Sequence, residues 1–446
     1  MAEKHDLIIV GAGPAGLMAS VVAAEEGLRV LLVERKTNVS KVTRSCCSMW
    51  ITEPMTHDES ISVEEDRVVF RRNDFSLSYT GKKIPLKQYM RLSPGGKKIV
   101  FGNENDAVSI AFDKEDLLNG LLKQAESLGV RVDSGTLCLD VSDEEEGVTV
   151  KLRDAEGERE EQGGYLILAD GVNSPMGSKL GFDEERKLFG RFQVISYFFQ
   201  DVACPYPPSF INFVGAGHIN GGAGNIYMLP KPGLGEGNND VFEITIGSPE
   251  GDVTTLLDKM QYFTEEGYFS KWFKHAKLVY RNCAVLNFRT PIISPAKGRT
   301  LVAGDAAAFI ETYVQGALIY GRGAAKAVVE KIKEGKDFSG YIKLWRDTFG
   351  YNQPGEIEKS TQAYGIANFS DSELDYIFSL TENEKHEGYV NEFNDYERIT
   401  KAMYAHIETI RKEKPDIADK MDCYFKEAGV SASLQIDRLK DEGKED

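Results

Sequence analysis

A chain of 446 residues with 41% hydrophobic and 28% charged residues has the size and composition of a globular protein of two or three domains. Its 70 acids against 53 bases leave a net charge of −17, which argues against nucleic acid as a partner and against electrostatic attraction to an anionic lipid surface. No apolar run approaches the ~20 residues of a membrane span and the N-terminus reads as a strand, so the expectation is a cytoplasmic protein without a transmembrane segment, with peripheral membrane contact left open.

The first predicted elements are the most informative. Leu7-Ile8-Ile9-Val10 reads as a buried strand, Gly11-Ala12-Gly13-Pro14-Ala15-Gly16 as a tight glycine turn, the Ala-rich stretch to Gly27 as a helix, and Val30-Leu31-Leu32-Val33 as a second strand ending at Glu34. Gly11 lets the chain turn out of the strand, Gly13 lets a pyrophosphate approach the backbone, and Gly16 allows close helix packing. The helix N-terminus offers N–H groups to phosphate oxygens, and Glu34 stands where a carboxylate accepts from both ribose hydroxyls. The expectation is a dinucleotide site.

Arg35 to Met55, with Arg44-Ser45-Cys46-Cys47-Ser48, reads as a loop over the nucleotide, in which Arg44 either meets a phosphate or is a solvated surface residue. The alternating segment 63–101 reads as strands with turns at Gly81 and Pro94-Gly95-Gly96. Phe112-Asp113 opens a helix with Leu117, Leu118, Leu121, Leu122 and Ala125 on one face, ended by Gly129. Strands follow near 130–133, 136–142 and 147–153, with the acidic run 143–146 as a solvated hairpin tip. Tyr165-Leu166-Ile167-Leu168 then runs into Ala169-Asp170-Gly171-Val172-Asn173-Ser174, placing a carboxylate at the carboxyl edge of a sheet.

Residues 185–285 alternate aromatic and β-branched runs with Gly/Pro turns, the pattern of an antiparallel sheet; the glycine clusters at 215–217 and 221–224 read as turns and His218 as a surface loop residue. Arg299–Ala303 gives one more parallel strand, followed by Gly304-Asp305 and a helix beginning near Gly316. The tail from about 340 reads as charged helices interrupted by Pro354 and Pro415, with a frayed end at Arg438–Asp446. The six cysteines, Cys46, Cys47, Cys138, Cys204, Cys283 and Cys423, make no C-x-x-C pair, so free thiols and no metal site are expected.

Three stretches in order, G-A-G-P-A-G at 11–16, A-D-G-V-N-S at 169–174 and A-G-D-A-A at 303–307, resemble the para-hydroxybenzoate hydroxylase superfamily of flavoproteins. Within it the chain is most similar to the geranylgeranyl reductase and FixC-like branch. Ile226-Tyr227-Met228-Leu229-Pro230-Lys231 resembles that branch's aromatic-x-Phe/Leu-Pro-Lys segment, with Tyr227 where Trp is usual. Cys46-Cys47 falls in its Arg-x-x-Cys-Gly loop, with Ser48 in place of Gly. Gln315-Gly316-Ala317 stands for its Gly-Gly-Gly.

The resemblance implies FAD as cofactor, held by Gly11, Gly13, Pro14, Ala15, Gly16, Glu34, Arg35, Arg44, Asp170, Gly304, Asp305, Gln315, Gly316 and Ala317. Asp305 would serve the ribityl–phosphate region, and N–H groups at Gln315–Ala317 the pyrimidine edge of the flavin. It implies reduction of a C=C bond or quinone-like group of an apolar, isoprenoid-type substrate, with Cys47 or Cys46 as the acid and Tyr227 behind it, and with NAD(P)H or a ferredoxin-like protein as electron donor. The alternatives are a monooxygenase of the same fold and an electron-transfer-flavoprotein-type dehydrogenase; a halogenase fits less well, because its Trp-x-Trp-x-Ile-Pro stretch is absent. The expected architecture is an α/β, Rossmann-like FAD domain at 1–75, 103–175 and 285–345, an antiparallel-sheet substrate domain at 76–102 and 176–284, and a helical region at 346–446.

Overall fold

The computed structural model describes residues 4–52, 57–102, 106–234, 241–308, 311–348, 352, 368–388 and 395–427. The expected break at Pro354 and the frayed end at Arg438–Asp446 lie outside the described residues. The chain divides into two compact units: Met1–Lys83, Phe112–Phe192 and Val285–Pro354 form the first, and Ile84–Ala111, Gln193–Ala284 and Gly355–Asp446 the second.

The first unit is built on a parallel sheet. Strand β1 (His5–Val10) leads through helix α1 (Pro14–Glu25) to β2 (Val30–Glu34). After helix α2 (Lys114–Ser127) come β3 (Arg131–Ser134), the hairpin β4 (Leu137–Glu144) and β5 (Gly147–Arg153), then β6 (Glu158–Leu168) and later β7 (Thr300–Val302). In parallel register β3 pairs with β2, β2 with β1, β1 with the second half of β6, and β6 with β7; the first half of β6 pairs antiparallel with β5 instead. The central strands are apolar throughout because both faces are covered: Leu7, Ile8, Ile9, Leu31, Leu32, Ile167, Leu301 and Val302 are all buried. Asp113 caps α2, accepting from the N–H groups of Glu115 and Asp116. Helix α3 (Tyr313–Glu334) packs closely on α1, where a Cβ on Gly321 would meet the Ala15 carbonyl oxygen at 2.1 Å.

Two expectations are corrected here. The helix α3 begins at Tyr313, not near Gly316, because Asp305 Oδ1 accepts from both the N–H (2.9 Å) and Oγ1 (3.1 Å) of Thr312 and fixes the helix start there. Asp143 is not a solvated tip residue: its Oδ2 accepts from Arg299 N–H and Thr300 Oγ1, both at 2.8 Å, tying the hairpin to the start of β7.

The second unit carries a seven-stranded sheet in which Leu188–Gln200, Ser209–Phe213, Asn225–Lys231, Val241–Pro249 and Lys277–Arg289 are joined by Gln88–Leu92 and Lys98–Phe101. Most neighbours are antiparallel, but Ser209–Phe213 and Gln88–Leu92 run parallel. One face is apolar (Met90, Leu92, Ile211, Phe213, Ile226, Met228, Ile244, Ile246) and packs with Phe263, Phe269, Trp272 and Phe273 from the short helices after Leu256. His218 is not on the surface: it is 3% exposed, stacks on Phe269 and uses Nε2 against the Leu92 carbonyl at 3.1 Å, and burial pulls its pKa down to about 4. The opposite face carries Tyr89, Phe210, Asn212, Tyr227, Glu243 and Thr245, in register across neighbouring strands. Helices Asp371–Thr381, Asp395–Tyr404, Ile407–Glu413 and Pro415–Glu427 belong to this unit.

Candidate cofactor and active site

The carboxyl ends of β1, β2, β6 and β7 converge on one cavity within the first unit. Its wall includes Gly11, Gly13, Pro14, Ala15, Glu34, Arg35, Arg44, Asp170, Gly304, Asp305 and Ala317, so the three glycine- and aspartate-bearing stretches, far apart in sequence, meet at one place. The glycines divide the work of the turn. Gly11 has φ +99° and no room for a side chain, since a Cβ would lie 2.3 Å from the Ala169 carbonyl oxygen. On Gly16 a Cβ would lie 1.8 Å from the Gly11 carbonyl oxygen, so this position sets how closely α1 approaches the turn. At Gly13 a Cβ would meet nothing within 4 Å, which leaves the backbone open to a ligand. Pro14 opens α1, and the N–H groups of its first turn have no intrahelical acceptor.

Glu34 is buried, and both its oxygens are engaged: Oε2 accepts from Ala12 N–H at 2.8 Å and Oε1 from Lys36 N–H at 3.0 Å. It thus holds the glycine turn as well as facing the cavity. Arg35, Lys36, Lys41, Arg44 and Lys114 surround Glu34, Asp170 and Asp305, a local excess of cations in an acidic chain. Burial pushes the Asp170 carboxyl up to about 6, against the opposing hydrogen bond that Ser174 Oγ donates to Oδ1 at 2.7 Å. Cys138 lies in the same wall, and burial pushes its thiol up to about 12, which makes it an inert lining residue.

Arg44 is partly exposed and pairs with a carboxylate: its Nη2 lies 2.5 Å from Asp305 Oδ2. The adjacent loop is held at two further points. Lys114 Nζ lies 3.1 Å from Cys46 Sγ, and the buried Gln315 side chain accepts from Ile51 N–H at 2.8 Å while its Nε2 donates to the Ile51 carbonyl at 3.4 Å. Cys46 and Cys47 are both half-buried thiols outside the cavity wall proper. Gly316 does not offer its N–H: that group donates to the Thr312 carbonyl at 3.1 Å, so the first-turn N–H groups of α3 belong to Tyr313, Val314 and Gln315. The bare side of Gly316 is filled by His57, whose Nε2 would lie 2.5 Å from a Cβ there. Tyr227 sits in the second unit, its ring stacked on Phe210 at 5.5 Å.

Sequence reasoning missed Lys114, Lys36 and His57. Lys114 carries only the signal that it follows the N-cap Asp113. His57 is 1% exposed, edge-on to Tyr313 and Tyr320, and burial pulls its pKa down to about 3, so it is a neutral packing ring at the head of α3.

An open glycine turn, a helix N-terminus, a carboxylate at the end of the adjacent strand and a cationic rim fit the diphosphate and ribose of FAD. Residues 6–169 match the model of the family "FAD dependent oxidoreductase", and the chain is an FAD-dependent oxidoreductase with the Rossmann-like architecture of that class. It is similar over most of its length to digeranylgeranylglycerophospholipid reductase from Methanosarcina acetivorans, at 25% identity over 391 residues, 84% of this chain and 88% of the relative. Its fold is that of a geranylgeranyl bacteriochlorophyll reductase-like protein from Thermoplasma acidophilum (TM-score 0.68, 18% identity, 95% of this chain and 99% of that one). The p-nitrophenol 4-monooxygenase of Pseudomonas putida shares the fold as well (TM-score 0.62, 14% identity, 90% and 97%).

Proposed function

We propose that this enzyme reduces a C=C bond, or a quinone-like group, of an apolar isoprenoid-type substrate, with FAD held in the cavity of the first unit. The observation that carries the reading is the thiol-bearing loop fastened to that cavity: Arg44 to Asp305, Cys46 to Lys114 and Ile51 to Gln315. Such fastening supports reading the loop as the carrier of a proton donor, which reduction at carbon requires. The similarity to reductases whose names specify geranylgeranyl lipids supports the substrate class.

The residues divide the task as follows. Glu34 accepts from the adenosine ribose, while Arg35, Arg44 and the first turn of α1 face the diphosphate. Asp305 serves the ribityl region and fixes the head of α3, whose N–H groups at Tyr313–Gln315 suit negative charge at the pyrimidine edge. Bound FAD supplies the two-electron chemistry. Cys47 is the proposed acid at the substrate carbon. The Cys46 sulfur is already engaged by Lys114 Nζ at 3.1 Å, which leaves Cys47 as the preferred candidate. Tyr227 is proposed as a substrate-facing residue, and NAD(P)H or a ferredoxin-like protein in the cytoplasm as electron donor.

Two measurements test this. Denatured protein should release free FAD; FMN, or flavin that stays with the precipitate, contradicts the cofactor assignment. Anaerobic flavin bleaching by NADPH, NADH or a low-potential one-electron donor then identifies the source of electrons, and no bleaching with any of them argues for a binding protein instead.

A further inference from the structure

From Gly267 to Ala284 the chain has no acidic residue but carries Lys271, Lys274, Lys277 and Arg281, in a protein whose net charge is −17. The structure puts this stretch on the outside of the second unit. Trp272 and Phe273 are buried in the aromatic core and turn Lys271 and Lys274, on either side of them, outward. Lys277 opens a strand at the edge of the seven-stranded sheet and lies 3.6 Å from Asp201. The same segment exposes large apolar side chains: Tyr268 at 56%, Leu278 at 46% and Val279 at 43%. Lys271 Nζ stands 5.2 Å over the Tyr268 ring.

We propose that this segment docks the enzyme on an anionic lipid bilayer. Lysines with aliphatic stems, a tyrosine and exposed aliphatic residues on one segment suit the headgroup boundary, where charge meets lipid phosphate and apolar side chains enter the acyl edge. The overall negative charge does not prevent this. At physiological salt the Debye length is about 8 Å, so the membrane responds to the charges at the contact and the acids elsewhere are screened. Acids do border the segment: Asp201 lies 3.6 Å from Lys277, Asp252 is paired with Lys259 at 2.7 Å, Asp258 accepts from Thr255 Oγ1 at 2.7 Å and Glu265 from Gln261 at 3.0 Å, with Glu266 beside it in sequence. Such docking suits an enzyme that takes an apolar substrate from a membrane, yet the docking stands without the proposed reaction, because it is read without substrate or turnover.

The test is sedimentation of the full-length, FAD-loaded protein with vesicles of phosphatidylcholine alone and of phosphatidylcholine mixed with phosphatidylglycerol. Binding to the anionic vesicles, absent on the neutral ones and lost as salt is raised about tenfold, is the expected result. Each cation at the surface is worth roughly fivefold in partitioning, so the pair Lys271→Gln and Lys274→Gln should bind roughly 25-fold more weakly. Leu278→Ser should weaken binding without changing its salt dependence, and Lys343→Gln, on an exposed helix of the other unit, should change nothing. Melting temperature and flavin content show that each variant is folded. The proposal is overturned by no binding to anionic vesicles, by equal binding to neutral ones, by binding that survives the double substitution, by salt-insensitive self-association through the edge strand in its place, or by retention on DNA without vesicle binding.

Discussion

Glu34→Gln separates the turn-holding role that the structure shows for this carboxylate from the ribose-binding role proposed for it. Both oxygens accept backbone N–H groups, from Ala12 at 2.8 Å and Lys36 at 3.0 Å. The amide of Gln must turn its NH2 toward one of them, which removes a charge-assisted hydrogen bond and leaves a buried N–H without an acceptor, a cost of about 1.5–3 kcal/mol to the FAD-free protein. A carboxylate has about four lone-pair sites, so two remain for ribose hydroxyls, whereas an amide oxygen already used by backbone has one left. A further loss of about 1–3 kcal/mol in FAD affinity follows, or roughly 5- to 150-fold in Kd. Thermal or urea unfolding of the FAD-free protein reads the first part, and flavin-fluorescence titration of the same protein reads the second. A variant that unfolds more easily but binds FAD with unchanged Kd would refute the ribose assignment and leave Glu34 as a clamp on the glycine turn.

Asp170, with its pKa raised by burial from the usual 3.8 to about 6, binds its proton more tightly in the folded state, so its contribution grows as pH falls through 6 toward 4 and its charge destabilises the FAD-free protein above pH 6. Asp170→Asn should therefore stabilise that protein at pH 8 by up to about 3 kcal/mol and by about half as much at pH 5; a gain that does not vary with pH contradicts the burial argument. Gln315→Leu leaves the Ile51 N–H and carbonyl without their partner and should cost about 1–3 kcal/mol in unfolding free energy, with looser FAD retention; unchanged stability would show that the tie is dispensable. Gly316→Ala drives a Cβ into His57 and should destabilise by about 1–3 kcal/mol, with His57→Ala restoring part of the loss, and additive effects of the two substitutions would contradict direct packing. Cys47→Ser should lower turnover by about 100-fold or more with FAD binding intact, and equal sensitivity of Cys46→Ser would reverse the assignment of the acid.

What the sequence disclosed and what it withheld follow the range of the interactions. The β1–α1–β2 unit is local: the strand, the glycine turn, the helix and Glu34 are contiguous, and each residue type is dictated by its neighbours in the chain. The helix after Phe112 was legible for the same reason, since Asp113 caps it from two and three residues away. The convergence of Asp170 and Asp305 on the glycine turn required the family resemblance, because parallel register between β1, β6 and β7 joins segments more than a hundred residues apart. The start of α3 was misplaced because Thr312 makes no side-chain cap of its own; Asp305 does the capping, and Tyr313 takes a left-handed φ of +54° that no propensity favours. Asp143, Lys114 and His57 share this character: each is defined by partners distant in sequence, and neither composition nor periodicity marks it.

The central claim, reduction at carbon by an FAD enzyme, is tested most directly by product mass. Chemically reduced holoenzyme is mixed with a geranylgeranyl-bearing glycerolipid under strict anaerobiosis, and the lipid is analysed by mass spectrometry. The account predicts a gain of about two mass units for each double bond saturated, without oxygen and stoichiometric with flavin reoxidation. No anaerobic product, with a gain of about sixteen mass units and oxygen uptake once air is admitted, would contradict it and make the enzyme a monooxygenase.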